Sequence, residues 1–513
     1  MSSIVGVVVD EQGAPIASAH VRVQATDFAT RTNAAGDFRL SFLPSAESRA
    51  VAAWKEGYYD GGERIEASRS AYRIALRPLP LVDHPGRAWT SARGSGQEAC
   101  GRCHPALLAE WERSAHSTSA VNPLFLASYT GVDPSGAPTG APSYRVDFPQ
   151  AAGNCATCHV PGLALDAPFA ARPDQASDIA TEGVFCEFCH KVKAATVDET
   201  GGKPGVLSLA IVRAEPGRDV FFGPLDDVIG RRDSYLPLYR QSTFCAPCHQ
   251  GSFWNVRAYS EFDEWSKSSF AKRNVECQDC HMRAEAGPAR RMAIAEEGGV
   301  VRDGSTLSSH ALRGTADAEF LRASIALRTE VTVFDGGVTV RASVQNVGAG
   351  HDFPTGSPMR NLLLVVEARD AGATPLELLS GDRLPEWAGR GSQPGDWAGL
   401  PGRGFAKILS DLVEYPADRA QGRSFDRFVP APYWRPAKIA SDTRIAAGAT
   451  DASEYRFRLA AVGAWPVTVI ARLIYRRTFR SWGHLDRIKG GDLELVRTQD
   501  HVDSPSSRPG RTL

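Results

Sequence analysis

Apolar and polar residues alternate in short runs near the start of the chain, in Ile4 to Val9, Val21 to Gln24 and Phe38 to Phe42. A period of two puts one strand face in a core and the other in water. Gly, Pro and Asn at Glu11 to Pro15 and Asn33 to Asp37 provide the reversals. Residues 1–79 are therefore expected to form a β-sandwich. Residues 80–97 lose this periodicity and carry Pro and Gly, as a linker does. Across 98–315 no strand pattern is sustained, and short helices with irregular segments are expected. Alternation returns after Ser324, in Val331 to Phe334, Gly337 to Val344, Leu362 to Ala368, Tyr455 to Leu459 and Val467 to Tyr475. A second β-sandwich over 324–482 follows. It is interrupted by a long insert, 381–442, rich in Trp, Pro, Gly and Arg and read as irregular; such loops usually cover something. Residues 483–513 read as a tail, disordered after His501. The expected fold class is multidomain: an N-terminal β-sandwich, a mainly α and irregular core, and a C-terminal β-sandwich.

Length and composition add bounds. The 513 residues suit three or four domains, and 42% hydrophobic content permits ordinary cores. No run approaches the ~18 apolar residues of a membrane-spanning helix. Residues 1–10 read as a strand, without the basic head and cleavage site of an export signal. No basic run with interleaved aromatics points to nucleic acid, so no such partner is expected.

The chemistry lies in the middle region. Cys-x-x-Cys-His occurs five times, at Cys100/Cys103/His104, Cys155/Cys158/His159, Cys186/Cys189/His190, Cys245/Cys248/His249 and Cys277/Cys280/His281, and uses all 10 cysteines. That spacing attaches c-type haem: each thiol adds to one porphyrin vinyl group and the adjacent histidine reaches the iron as proximal ligand. Zinc sites also use paired cysteines, but they require no histidine after each pair. With 12 His in 513 residues, five such histidines would arise by chance with a probability of roughly 10⁻⁸ to 10⁻⁹. Disulfides are disfavoured, because a two-residue loop constrains little. Five covalent haem c groups are expected, and their large apolar surfaces would replace much of the usual core. The formal charge of -1 then becomes about −6 oxidised and about −11 reduced, once ferric porphyrins and ionised propionates are included. Arginine outnumbers lysine and suits propionate carboxylates, although genome composition explains the bias equally well. Covalent haem attachment also places the protein in the periplasm or at the extracellular surface, with an export signal trimmed, replaced or missed at the start of this numbering.

Each iron needs an upper ligand. Besides the proximal five, the histidines are His20, His84, His116, His310, His351, His484 and His501. Met282 follows His281 and lies on the wrong side, leaving Met292 and Met359 as thioether donors. Bis-histidine ligation is favoured, which lowers the potential relative to Met/His. His116 is twelve residues past His104, about 18 Å along a continuous helix, so it should ligate a neighbouring haem. His310 and His351 sit on turn-rich segments flanking the C-terminal β region, where ligation would lock that domain onto the haem core. His84 and His484 complete the candidate set, and His20 reads as an ordinary strand residue.

Two resemblances follow from particular residues. Gly6-Val-Val-Val-Asp-Glu-Gln-Gly13-Ala-Pro-Ile-Ala, with Thr32 to Phe38 and Gly57-Tyr58, resembles the carboxypeptidase regulatory-like domain, which implies a transthyretin-like sandwich serving as a spacer or contact surface. Trp111-x-x-Ser114-x-His116, Glu182-Gly-Val-x-Cys186, Gly223-Pro-Leu225, and Glu264-Trp265 leading to Cys277-Gln-Asp-Cys-His281-Met282 resemble multihaem cytochromes of the cytochrome c-554 type over 98–315. The Gly350-His-Asp-Phe-Pro-Thr-Gly356 and Asp442-Thr-Arg-Ile445 segments resemble the β domain that follows this module. The resemblance implies stacked haems, electron transfer between redox partners, and one five-coordinate haem. Related chains carry a histidine between the Gly-Pro-Leu turn and the fourth motif, where this sequence reads Arg231-Arg232-Asp233-Ser234-Tyr235.

Three functions fit. An electron carrier needs only a chain of haems. An oxidoreductase would bind a small nitrogen or sulfur oxyanion at an open iron, with Arg231, Arg232 and Tyr235 supplying charge and protons. The analogous pentahaem nitrite reductases replace one motif histidine by lysine, and all five motifs here end in histidine. A homo-oligomeric or filamentous surface protein, joined through its β domains, is the third.

Overall fold

The computed structural model describes residues 2–44, 50–80, 82–94, 96, 98–230, 232–284, 289–416, 430–459, 465–482, 485–488 and 491–504. Two sheets form the N-terminal region. One has Ser2–Asp10 between Asp37–Phe42 (antiparallel) and Ala71–Leu76 (parallel). The other runs Ala29–Arg31, His20–Val23, Ala50–Trp54, Gly61–Arg64. The alternation seen in the sequence is the burial pattern itself: in Asp37–Phe42 and Ala71–Leu76 every second residue is buried. Ile4, Val8, Phe38, Leu40 and Ile74 from the first sheet meet Val21, Val23 and Val51 from the second in one apolar cluster.

Residues 80–97 differ from the expected linker. Trp89 donates to the Gly162 carbonyl at 3.1 Å, the Ala92 N–H donates to Glu182 at 2.8 Å, and Ala92 is fully buried. Low periodicity here reflects a segment packed by individual side chains rather than as a strand or helix.

The central region is built from short elements. Each haem motif forms about one helical turn: Cys100–Cys103, Ala156–His159, Cys186–His190, Ala246–His249 and Cys277–His281. Residues three and four apart share a helix face, so one turn presents both thiols and the imidazole together. Around these turns lies a continuous cavity of about 3040 Å³, several times the roughly 300–1,000 Å³ of a single-ligand pocket.

The C-terminal region also has two sheets. The first runs Ile325–Phe334, Gly337–Asn346, Thr450–Arg458, Glu377–Ser380; the second runs Ala437–Asp442, Gly402–Asp411, Asn361–Arg369, Val467–Arg476, Leu493–Val502. Leu362, Leu364 and Val366 face the first sheet. Leu363 and Val365 face a second cluster with Trp387, Trp434, Trp482 and Ala127, the last from the cytochrome-like region. This central strand is covered on both sides, which explains its unbroken apolar run Leu362 to Val366.

Two expectations are corrected here. The 381–442 insert is not irregular throughout: Gly402–Asp411 and Ala437–Asp442 are strands of the five-stranded sheet. Its buried run Phe405 to Leu409 does not alternate because both faces are covered. Part of the insert, 417–429, lies outside the described residues. The 483–513 segment is not simply a tail, since Leu493–Val502 pairs antiparallel with Val467–Arg476. It is an edge strand, with Leu495 in the core and charged residues outward, so its hydrophobic signal is weak.

Candidate metal centre

In three places a motif histidine faces a second imidazole, and two of these pairs line the cavity. His116 and His249 have ring centroids 6.3 Å apart, His190 and His310 6.3 Å, and His281 and His351 6.2 Å. A metal–imidazole bond is about 2.0–2.1 Å long. Two imidazoles bound through Nε2 to one metal therefore hold their centroids about 6.3 Å apart, allowing about 1.1 Å from ring centre to nitrogen. The observed spacing is that of two axial ligands on one iron, and the residues present fit haem.

The other ring nitrogen of four motif histidines meets a backbone carbonyl. Nδ1 of His104 meets the Met292 carbonyl at 2.7 Å, His190 that of Phe222 at 2.6 Å, His281 that of Arg313 at 2.6 Å, and His159 that of Ser119 at 3.4 Å. His249 is the exception: its Nδ1 lies 3.6 Å from the Glu261 carboxylate. Such partners fix the tautomer and leave Nε2 for the metal. Burial holds His116, His159, His281 and His310 down at a pKa of about 4, hence neutral and ready to bind metal. Burial also lowers His249, but Glu261 outweighs it and the net shift is upward.

Sequence distance does not order the attachment sites. The Cys100 sulfur is a hydrogen-bonding neighbour of Cys186, Cys158 of Cys248, and Cys277 of Cys245. Cys189 lies within electrostatic reach of Cys245 and Cys248. The motifs thus connect first to third, third to fourth and fourth to fifth, and the second branches from the fourth.

The remaining candidates fall elsewhere. His84 is exposed; its backbone N–H donates to the Arg213 carbonyl at 3.0 Å, and it does not line the cavity. The haem-binding expectation for it is not met because Asp83 and Asp166 draw this loop onto Arg213 instead. His484 lies outside the described residues, as does Arg231. His20 pairs with Asp226 at 3.1 Å, and His501 sits at an exposed strand end beside Thr468. Unlike these histidines, Met292 and Met359 line the cavity: the Met292 carbonyl meets His104 Nδ1, and Met359 packs in the Trp387 cluster. Among the described residues no second imidazole ring pairs with His104 or His159.

The motifs that carried the family resemblance interlock. Trp111 donates to the Val184 carbonyl at 2.9 Å, and the Val184 N–H donates to that of His116 at 3.1 Å. Gly183 has φ +68°, and a Cβ there would lie 2.6 Å from the His116 carbonyl oxygen; glycine is needed for that approach. Comparison with known proteins agrees. Residues 99–191 match the family described as cytochrome c554 and c-prime. Over this stretch the chain is similar to a cytochrome c554-type module. Residues 3–75 match the carboxypeptidase regulatory-like domain. A solved structure, a penta-heme cytochrome c552 from Thermochromatium tepidum, is 20% identical with a TM-score of 0.53, covering 79% of this chain and 97% of that one. At that identity the likeness speaks for the fold. No significant match is found among curated proteins.

The cytochrome c554-type module contains the first three motifs and His116; the fourth and fifth motifs lie beyond the matched stretch. All three ring pairs depend on segments that follow it. Glu264 positions the His351 loop: it accepts from the Asp352 N–H at 3.1 Å, the Thr355 hydroxyl at 2.9 Å and Arg444 at 2.6 Å. Burial raises its carboxyl, but Arg444 and Ser260 outweigh that and hold it below the usual range. Glu264→Gln keeps the shape and removes the charge, so the expected loss is about 2 kcal/mol, typical of hydrogen bonds to a charged group. Urea unfolding measures that loss, and a weakened His351 contact would appear as a new high-spin resonance.

Sequence reasoning missed a polar group near the second motif. Tyr259 and Tyr433 pack edge to face, ring centroids 5.4 Å apart, within electrostatic reach of Cys155 and Cys158, and burial pushes both phenols well up. Arg360 lines the cavity beside them and donates to Tyr475 at 3.0 Å. Tyr433 comes from the insert whose covering role was expected, but nothing in its local sequence marks the hydroxyl.

Proposed function

We propose that the protein is an electron carrier with five covalently attached haem c groups, one on each Cys-x-x-Cys-His motif, working between redox partners in the periplasm or at the extracellular surface. The observation that carries this reading is the set of three imidazole pairs at iron-ligating separation, around a cavity that joins all five motifs. Haem c supplies reversible one-electron exchange, with a potential set by axial ligands, hydrogen bonding and burial. The chain supplies the rest. The paired imidazoles would hold the iron, and carbonyls on Nδ1 of His190 and His281 stop those rings from turning. The Glu261 carboxylate makes His249 a stronger donor than its carbonyl-bound counterparts, which favours the oxidised state there. No helix among the described residues is long and apolar enough to cross a membrane.

Low-temperature electron paramagnetic resonance of the oxidised protein, with potentiometric titration, tests the reading. At least three low-spin centres are expected. A spectrum dominated by high-spin iron would contradict it.

A second reading, an oxidoreductase acting on a small nitrogen or sulfur oxyanion, draws support from the second motif. There Arg360 offers charge, and Tyr259 and Tyr433 offer protons, where no second imidazole pairs with His159. This replaces the residues expected from sequence. Arg232 lies 3.5 Å from Glu98 and Tyr235 packs against Trp54 of the N-terminal domain at 4.7 Å, at a part of the cavity lining away from these three residues. Nitrite- or sulfite-dependent oxidation of the reduced protein, lost in Tyr433→Phe, would establish it. The homo-oligomer or filament reading is tested by looking for concentration-dependent polymer in the microscope.

A further inference from the structure

A fully buried cation stands behind the third motif. Lys191 follows His190 directly and does not line the cavity, so it is no rival for the iron. Its Nζ donates to the Val220 carbonyl at 2.7 Å and lies 3.7 Å from the centre of the Phe221 ring. Asp219 is 3.4 Å away and Glu187 3.6 Å. Two residues beyond Val220, the Phe222 carbonyl meets His190 Nδ1 at 2.6 Å. Taking an ammonium out of water costs several kcal/mol, which close partners must offset. Here the partners are shared, because Arg87 also bonds to Asp219 and the Thr90 N–H to Glu187.

The fourth motif has the opposite surroundings. There the Glu261 carboxylate lies 3.6 Å from His249 Nδ1, where His190 has a neutral carbonyl and a cation beyond it. Proton affinities follow the same contrast. Burial lowers His190, the Phe222 carbonyl opposes this, and His104 and Lys191 add to the lowering; at His249, Glu261 outweighs burial. Iron gains one negative charge on reduction, so a fixed positive charge nearby favours the reduced form and a fixed negative charge the oxidised form. The two sites are neighbours, since Cys189 is within electrostatic reach of Cys245 and Cys248.

We propose that Lys191 holds the third haem site at a higher potential than the fourth, and that this step gives the chain of sites a direction. Electrons delivered by a reduced partner at the fifth motif then fall from the fourth site to the third and leave through the first to an oxidised partner. The inference rests on the carrier reading and adds which end receives and which end gives. In the step itself one electron oxidises the fourth site and reduces the third, and no bond or proton moves. Lys191 and Glu261 are fixed in place before the electron arrives, so the charges that favour the transfer need no rearrangement.

Potentiometric titration of the holoprotein, followed by electron paramagnetic resonance, is the test. The third centre is the low-spin signal that His310→Ala removes, and the fourth is the one that His116→Ala removes. In the unaltered protein the third is expected to be reduced first. Lys191→Met should lower its ratio of reduced to oxidised iron about tenfold at a given potential, a shift of ~59 mV for one electron. Lys191→Arg should restore it. Glu187→Gln removes a counter-charge and should move the same centre the other way. A purely structural lysine predicts shifts of one sign in both, or none, and either result would overturn the proposal while retained low-spin signals leave the carrier intact. A third centre at or below the fourth in the unaltered protein would overturn it too, and that ordering and Glu187→Gln decide the matter should Lys191→Met not fold. A spectrum dominated by high-spin iron would instead fail the carrier reading itself.

Discussion

Replacing His116 by alanine should leave all five haems attached while turning one low-spin centre high-spin. Attachment depends on the thiols and motif histidines, none of which the substitution touches. The His116 backbone stays in place, because its carbonyl is held by the Val184 N–H at 3.1 Å. What disappears is the ring 6.3 Å from His249. Losing that donor weakens stabilisation of the oxidised state, and the potential of this centre should rise on the order of 0.1 V, a fraction of the ~0.8 V range commanded by axial ligation. The position makes the effect large. The fourth motif adjoins the second, third and fifth, so a shifted centre there interrupts every route between the first and fifth attachment sites. Spectropotentiometry and stopped-flow reduction read the two consequences. An unchanged spin state would show that His116 is not a ligand.

The second large effect concerns domain docking. Arg435, fully buried, bridges Asp147 of the cytochrome c554-type module at 2.7 and 2.8 Å and Asp411 of the C-terminal sheet at 3.2 Å. The neighbouring Trp434 also donates to Asp147, at 2.8 Å. Arg435→Met keeps the volume but leaves two acids, 0% and 4% exposed, without their cation. Removing one partner of a buried ion pair costs about 3–5 kcal/mol, far more than an exposed pair is worth. Urea denaturation should show a loss of that size, with the C-terminal domain releasing before the haem-bearing region. A loss below about 1 kcal/mol, the range of exposed pairs, would mean that the bridge does not hold the domains together.

The attachment chemistry was legible in the sequence because Cys-x-x-Cys-His is local: one helical turn contains everything that matters. Much of the β architecture was legible for a similar reason, since period-two alternation survives wherever one strand face is solvated, as in Asp37–Phe42 and Ala71–Leu76. It failed where both faces are covered, as in Gly402–Asp411, and at the edge strand Leu493–Val502. The upper ligands were partly legible. Distance along a helix gave the expectation that His116 serves a motif other than its own, but the ring it faces, His249, depends on tertiary packing, as do the pairings of His310 with His190 and His351 with His281. Tyr259, Tyr433 and Arg360 were out of reach: each is an ordinary residue in its own segment and gains its role only from what the fold places opposite.

The most direct test is the intact mass of natively matured protein under denaturing conditions, which remove any group held only by coordination. The account predicts the polypeptide plus five haems, with pyridine haemochrome bands of the c type. A mass matching the bare chain, or fewer than five additions, would contradict it.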